Sequence, residues 1–451
     1  MNGQLHMAYN KRGFIKPAIL FAGGYIALAV IALKNYLPFQ SVNFILGLMA
    51  LPFVLQIQGR EKRSYRFGWI VLVCSILCFM VPVSTILYFT ICFALFFLIE
   101  YFYGRVNLLA VVTVVLMSPV FQYFINTFSF PLRLELTKLA GTLFNLVGAE
   151  LVVKGNVIIH HGNEFSVDPG CMGLKMMETS LLLGAMLIGV YQKRFQRRLR
   201  NWKLLFFFGT IVLLNIVANL IRIVMLVQFA VLPGTFSHEL AGIVCLIIYV
   251  FLPAVWLASR VIKRSPVQHD TTVQFSAVSK RAILHHLLIL SCISLLALLV
   301  YNTDTYKMPN ISLFSQNKDF GVTQYAPGIL KLQDTKSLIY IKYIRGFYDT
   351  DHNPMICWKG SGYVFEQIQV EKMDDREIYA GVLVNGQEKL YSAWWYGNSQ
   401  SSTVSQFEWR WDMLKGEKKY AVVNVTCSDR DELQKQVKKI FRQKTLDTFF
   451  N

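Results

Sequence analysis

The chain has 451 residues, 54% of them hydrophobic and 16% charged, with a formal net charge of +18. That charged fraction is too small for an ordinary soluble protein of this length, and apolar runs long enough to cross a bilayer recur through the first 300 residues. The positive charge does not point to nucleic acid, because the Lys and Arg of the first 300 residues collect in short loops between apolar runs, the pattern of loops retained on the cytoplasmic side.

In chain order, a basic, polar start at 1–16 leads into an apolar run from Ala18. It lacks a convincing small-residue cleavage site and reads as a retained first helix. Candidate spans follow at 15–33, 42–57, 67–83, 85–102, 107–125, 173–190, 204–230, 239–258 and 283–301, about nine helices. Every second loop is basic: Lys11, Arg12 and Lys16; Arg60, Lys62, Arg63 and Arg66; Arg105; Lys193 to Lys203; Arg260 to Arg281. The N-terminus is therefore expected inside, and the region beyond the ninth span outside.

Between the fifth and sixth spans, 126–172 is then extracytoplasmic. Residues 134–152 suit an amphipathic surface helix, and 151–167 suit a small hairpin with Gly at its turns. His160 and His161 are adjacent on a strand and point to opposite faces, a poor metal pair. Beyond the last span, strand-like runs at 338–344, 363–370, 377–384, 389–396 and 419–426 precede a terminal helix with Ser428 and Asp431 as a capping box. The expected architecture is mainly α: a polytopic membrane helix bundle over 1–301, then an extracytoplasmic α+β domain over 302–451.

Chemistry collects at three span ends. Cys171 stands at the mouth of the sixth span in Asp168-Pro169-Gly170-Cys171-Met172-Gly173-Leu174. A thiol at a helix N-terminus has its thiolate favoured by the helix dipole; the plain alternative is a packing cysteine. Arg222 lies nineteen residues beyond Lys203, about 28 Å at helical rise and close to the full apolar thickness. Asn215, Asn219 and Arg222 share one helical face, which marks either function or an Arg extending to lipid headgroups with Asn residues bridging helices. His238 opens the eighth span. With Glu239 it resembles half of a zinc helix, but the second His is absent, Gly242 standing in its place. No metal or cofactor is expected, and no CxxC pair occurs.

At these residues the chain resembles the exosortase/archaeosortase family of multi-pass membrane cysteine transpeptidases. The resemblance rests on Cys171-Met172-Gly173-Leu174, on Asn219-Leu220-Ile221-Arg222, and on His238 with Gly242 four residues on; Met172 replaces the usual Ser or Ala. The C-terminal region is similar to the methanolan-biosynthesis type companion domain, in 352–363 and in Leu390 to Tyr396, and the fused arrangement resembles the exosortase N branch. The resemblance implies a protein of the bacterial inner membrane. Its substrates would be exported proteins ending in a PEP-CTERM-type signal: a short motif, an apolar helix and a basic cluster. Cys171 would form the thioester, His238 would carry the proton and Arg222 would stabilise the oxyanion or the thiolate, with Asn215, Asn219, Gly173 and Gly242 in support. The competing expectation is a membrane protein of surface-polysaccharide polymerisation or export, which needs polar intramembrane residues but no thiol.

Overall fold

The computed structural model describes residues 2–58, 64–146, 151–160, 163–167, 173–231, 235–267, 280–304, 320–326, 328–349, 354, 358, 361–398, 400–416 and 418–442. It divides into two compact units, the first made of 1–124, 173–218 and 243–306, the second of 125–172, 219–242 and 307–451.

Helices dominate the first 304 residues: α1 (Asn2–Ala32), α2 (Val42–Val54), α3 (Arg66–Met80), α4 (Ser84–Phe102), α5 (Leu108–Leu116), α6 (Pro119–Leu146), α7 (Leu174–Phe195), α8 (Asn201–Gln228), α9 (Phe236–Cys245), α10 (Leu252–Lys263) and α11 (Lys280–Asp304). A chain this apolar must close its backbone hydrogen bonds within each segment. In the first unit, one core joins α1, α3, α4 and α11 through Phe21, Phe67, Leu87, Tyr101 and Ile293. A second joins α2, α7, α8 and α10 through Ala50, Leu182, Phe207 and Ala258. The opposite faces of the same helices carry exposed Trp69, Phe79, Leu205 and Leu288. Apolar side chains both inside and outside are what a lipid surround demands.

The nine expected spans differ from these helices in several places. Among the described residues, four helices are long and apolar enough to cross a membrane: Ser84–Phe102, Asn201–Gln228, Phe236–Lys263 and Lys280–Thr303. Apolar helices at Pro17–Ala32, Val42–Val54 and Arg66–Met80 are shorter. The expected fifth span is divided at Met117-Ser118 into the nine-residue α5 and the 28-residue α6, which also absorbs most of the expected surface helix. Pro119 supplies the reason, since it suits the start of a helix and not its interior. The expected eighth span bears a π-helical segment, Leu246–Phe251, just before Pro253.

An ion pair between the partly exposed Arg66 and a buried carboxylate closes the α3–α4 hairpin. Glu100, its side chain wholly buried, receives hydrogen bonds from Arg66 Nε at 2.9 and 3.1 Å and from the Val106 backbone N–H at 2.8 Å. A buried carboxylate is tolerated only when so fully paired.

In the second unit, the expected hairpin is a three-stranded antiparallel sheet of β3 (Leu151–Lys154), β4 (Val157–His160) and β5 (Asn163–Ser166); β1 (Ile57–Gln58) and β2 (Arg105–Val106) form a separate short ladder in the first unit. His161 lies outside the described residues.

The C-terminal region is an eight-stranded antiparallel sheet in the order β6-β7-β8-β13-β11-β10-β9, with the short β12 on β11. Its strands are β6 (Gly321–Ala326), β7 (Ile329–Gln333), β8 (Ser337–Tyr343), β9 (Val364–Met373), β10 (Arg376–Asn385), β11 (Glu388–Gly397), β12 (Ser402–Thr403) and β13 (Ala421–Cys427). Five of these match the expected runs; β6, β7, the short β12 and the helix α12 (Glu408–Leu414) lie outside them. Trp394 and Trp395 are buried on opposite faces of β11, as strand alternation requires. Trp395 packs with Ile339, Val423 and the helix α13 (Arg430–Arg442) through Leu433, Val437 and Ile440; Trp394 packs with Phe365, Ile368 and Tyr379. The cap of α13 is Asp429, whose carboxylate accepts from the N–H groups of Asp431 at 3.0 Å and Glu432 at 3.1 Å, one residue later than the expected Ser428.

Candidate active site

Arg222 and His238 meet inside the second unit. Arg222 sits six residues before the end of α8, and its side chain is 2% exposed. His238 sits in the first turn of α9 and is 3% exposed. Arg222 Nη2 donates to the His238 carbonyl at 3.2 Å and lies 3.4 Å from its Nδ1. This guanidinium is therefore turned onto the imidazole and not outward to headgroups.

The turn that starts α9 holds the His238 backbone. The His238 N–H reaches the Thr235 carbonyl at 3.1 Å and its Oγ1 at 3.3 Å. Glu239 Oε1 lies 3.7 Å from His238 Nδ1, with its side chain 68% exposed. The two neighbours of Nδ1 suit different protonation states. A guanidinium can only donate, so it bonds Nδ1 while that atom carries a lone pair. The Glu239 carboxylate can only accept, so it bonds Nδ1 once that atom is protonated. In the sequence Glu239 stands out only as half of a zinc motif. Among the described residues no cluster suited to a metal occurs.

Asn215 and Asn219 are both buried on the α8 face that bears Arg222, but they are used differently. Asn215 Nδ2 donates to Ser180 Oγ of α7 at 2.7 Å and to the Ile211 carbonyl at 2.8 Å, an interhelical tie within the first unit. Asn219, one turn before Arg222, is 6% exposed, and neither its Oδ1 nor its Nδ2 has a hydrogen-bond partner among the described residues. An orphaned buried amide costs about 1–3 kcal/mol.

Gly173 caps α7 with φ +65°, a left-handed conformation that favours glycine. Gly242 is buried one turn after His238, leaving that face of α9 without a side chain. Cys171 lies outside the described residues. The described helix α7 begins at Leu174.

A packed cluster holds these parts in place. Leu136, Ala140 and Phe144 of α6 meet Ile158, Phe165 and Val167 of the three-stranded sheet and Ile223, Leu226 and Val227 of α8, with Ala241 of α9 beside them. Val167 is four residues before Cys171. Of the two cysteines expected outside the membrane, Cys427 is a free thiol buried in β13, pushed by burial up to about 12, and Cys357 lies outside the described residues.

The profile of the transmembrane exosortase family matches residues 19–256, more than half of the chain, and that stretch contains Cys171, Arg222 and His238. The chain belongs to the transmembrane exosortase family. No curated protein and no solved structure matches it. For this exosortase the match spans the helical region from α1 into α10 and stops short of the C-terminal sheet.

Proposed function

We propose that this exosortase is a membrane cysteine transpeptidase acting on the C-terminal sorting signals of exported proteins. The observation that carries the proposal is the buried contact between Arg222 and His238 at the ends of consecutive helices, in a chain of this family. Cys171 is the nucleophile. Its sulfur attacks the scissile peptide carbonyl and forms the S–C bond of a tetrahedral intermediate. His238 accepts the thiol proton and passes it to the leaving amine as the C–N bond breaks, giving a thioester. An acceptor nucleophile or water then attacks the thioester, and the thiolate leaves.

In this scheme Arg222 stabilises the oxyanion. The buried amide of Asn219 offers both a donor and an acceptor to the substrate chain. Glu239 supports the imidazolium, by a small margin because it is exposed. No metal or cofactor enters this scheme. Residues 1–301 carry the chemistry, and 302–451 form the companion-like domain of an exosortase N type protein. The protein sits in the bacterial inner membrane with its N-terminus in the cytoplasm.

The test is a reporter ending in a short motif, an apolar helix and a basic cluster. Its processing should stop in Cys171→Ala while membrane insertion is unchanged. Processing at the wild-type rate in that variant would sink the proposal. Iodoacetamide should inactivate the wild-type protein through Cys171, since the buried Cys427 thiol holds little thiolate near neutral pH.

A further inference from the structure

The β3–β4 turn joins the C-terminal sheet to the chain that leads to Cys171, all within the second unit. Gly155 in this turn has φ +60°, and a Cβ there would stand 2.2 Å from the Ile368 carbonyl oxygen of β9. Its neighbour Asn156 is 1% exposed and makes two bonds in opposite directions. Its Oδ1 accepts the Ile368 backbone N–H at 3.0 Å. Its carbonyl accepts the Val167 N–H at 2.8 Å.

The sheet gives up regular pairing to make this joint. The β9–β10 register shifts between Ala380 and Val382, and Gln367 takes φ +51°. A non-glycine residue in that region costs on the order of 1 kcal/mol. The bulge leaves Ile368 out of the ladder, and its N–H turns to Asn156. Ile368 is fully buried with Trp394 and Phe365, in the same cluster as Leu134 of α6. On the far side of Asn156, Val167 is fully buried against Ile223 and Leu226 of α8. Asn156 thus stands between the packed face of the C-terminal sheet and the segment that ends in the thiol.

We propose that Asn156 is a positioning residue through which the C-terminal sheet fixes the approach to Cys171, so that this sheet acts in the catalytic step and not only in choosing substrates. The proposal rests on the assignment of Cys171 as nucleophile. Loss of the clip frees the segment that begins at Asn163 and runs on in the chain to Cys171.

The experiment uses full-length protein in detergent and the variants Asn156→Ala, Gly155→Ala and Asn156→Asp. Two quantities are read: the rate of iodoacetamide capture at Cys171 by peptide mass spectrometry near neutral pH, and amide exchange over 163–172 and over β11 and β13. In Asn156→Ala and Gly155→Ala, capture should slow about tenfold, the effect of one unit of thiol pKa. Exchange should rise over 163–172 and stay unchanged in β11 and β13. Asn156→Asp keeps an acceptor for the Ile368 N–H and should capture at the wild-type rate. Unchanged capture in the two disruptive variants overturns the proposal. So does a slowing accompanied by lost protection throughout β11 and β13, because the turn would then only hold the fold. If Cys171→Ala still processes the reporter, the assigned chemistry fails instead, a result read independently of capture and exchange.

Discussion

Two buried polar residues of α8 separate by use and not by type. Asn215 bonds to Ser180, while among the described residues the Asn219 amide, one turn from Arg222, has no partner. The spacing of four and three residues placed all three on one face from the sequence, and burial agrees. The hydroxyl of Ser180 sits in a helix 35 residues away in the chain, and no spacing rule could pair it with Asn215. The same holds for Arg222 and His238, whose contact depends on how α9 turns back after α8. A planar guanidinium can hold the His238 carbonyl and still present other donors, whereas an ammonium is a compact point charge. Arg222→Lys is therefore expected to lose nearly as much as Arg222→Ala, on the order of 10²- to 10³-fold in kcat. Reporter processing at matched membrane abundance checks it, and recovery of most of the rate by Lys would reduce Arg222 to a positive charge.

Element type was legible where a segment repeats one pattern for long enough. The apolar helices and the five longer strands of the C-terminal sheet follow their periodicities. Ends and divisions were less legible, for local reasons. Hydropathy averages across Met117-Ser118, yet Pro119 starts a new helix there. Gly155-Asn156 announced one hairpin; a second Gly-Asn pair, Gly162-Asn163, stands at the start of a third strand, β5, which the expected two-stranded hairpin did not include. At α13, both Ser428 and Asp429 are good capping residues, and only the backbone geometry decides between them. Asp429→Ala should cost about 0.5–2 kcal/mol by removing the acceptor for two N–H groups, while Ser428→Ala should leave stability nearly unchanged. Thermal unfolding of the two variants side by side separates the two caps; equal effects would mean that Asp429 is not the cap.

At the level of the molecule, the basic loops predict orientation independently of any side-chain contact. A reporter placed within 193–203 should read as cytoplasmic, and one fused after Asn451 as extracytoplasmic. A cytoplasmic result for the second would put the C-terminal sheet on the side away from the proposed chemistry and break the topology. The sequence by itself determined that this is an apolar, multi-helix membrane chain of the exosortase family with a β-rich C-terminal region, because composition, charge placement and short motifs are local properties. Tertiary structure alone decided which polar groups on one helix face are satisfied, that Arg222 turns onto His238, and that the C-terminal sheet shares a compact unit with 125–172 and 219–242. It also decided that Gly155 and Asn156 dock on a bulge of β9 more than 200 residues later in the chain. Those outcomes depend on packing between distant segments, where a hydrogen bond forms only after the burial of Ile368, Val167 and their neighbours has brought its two ends together.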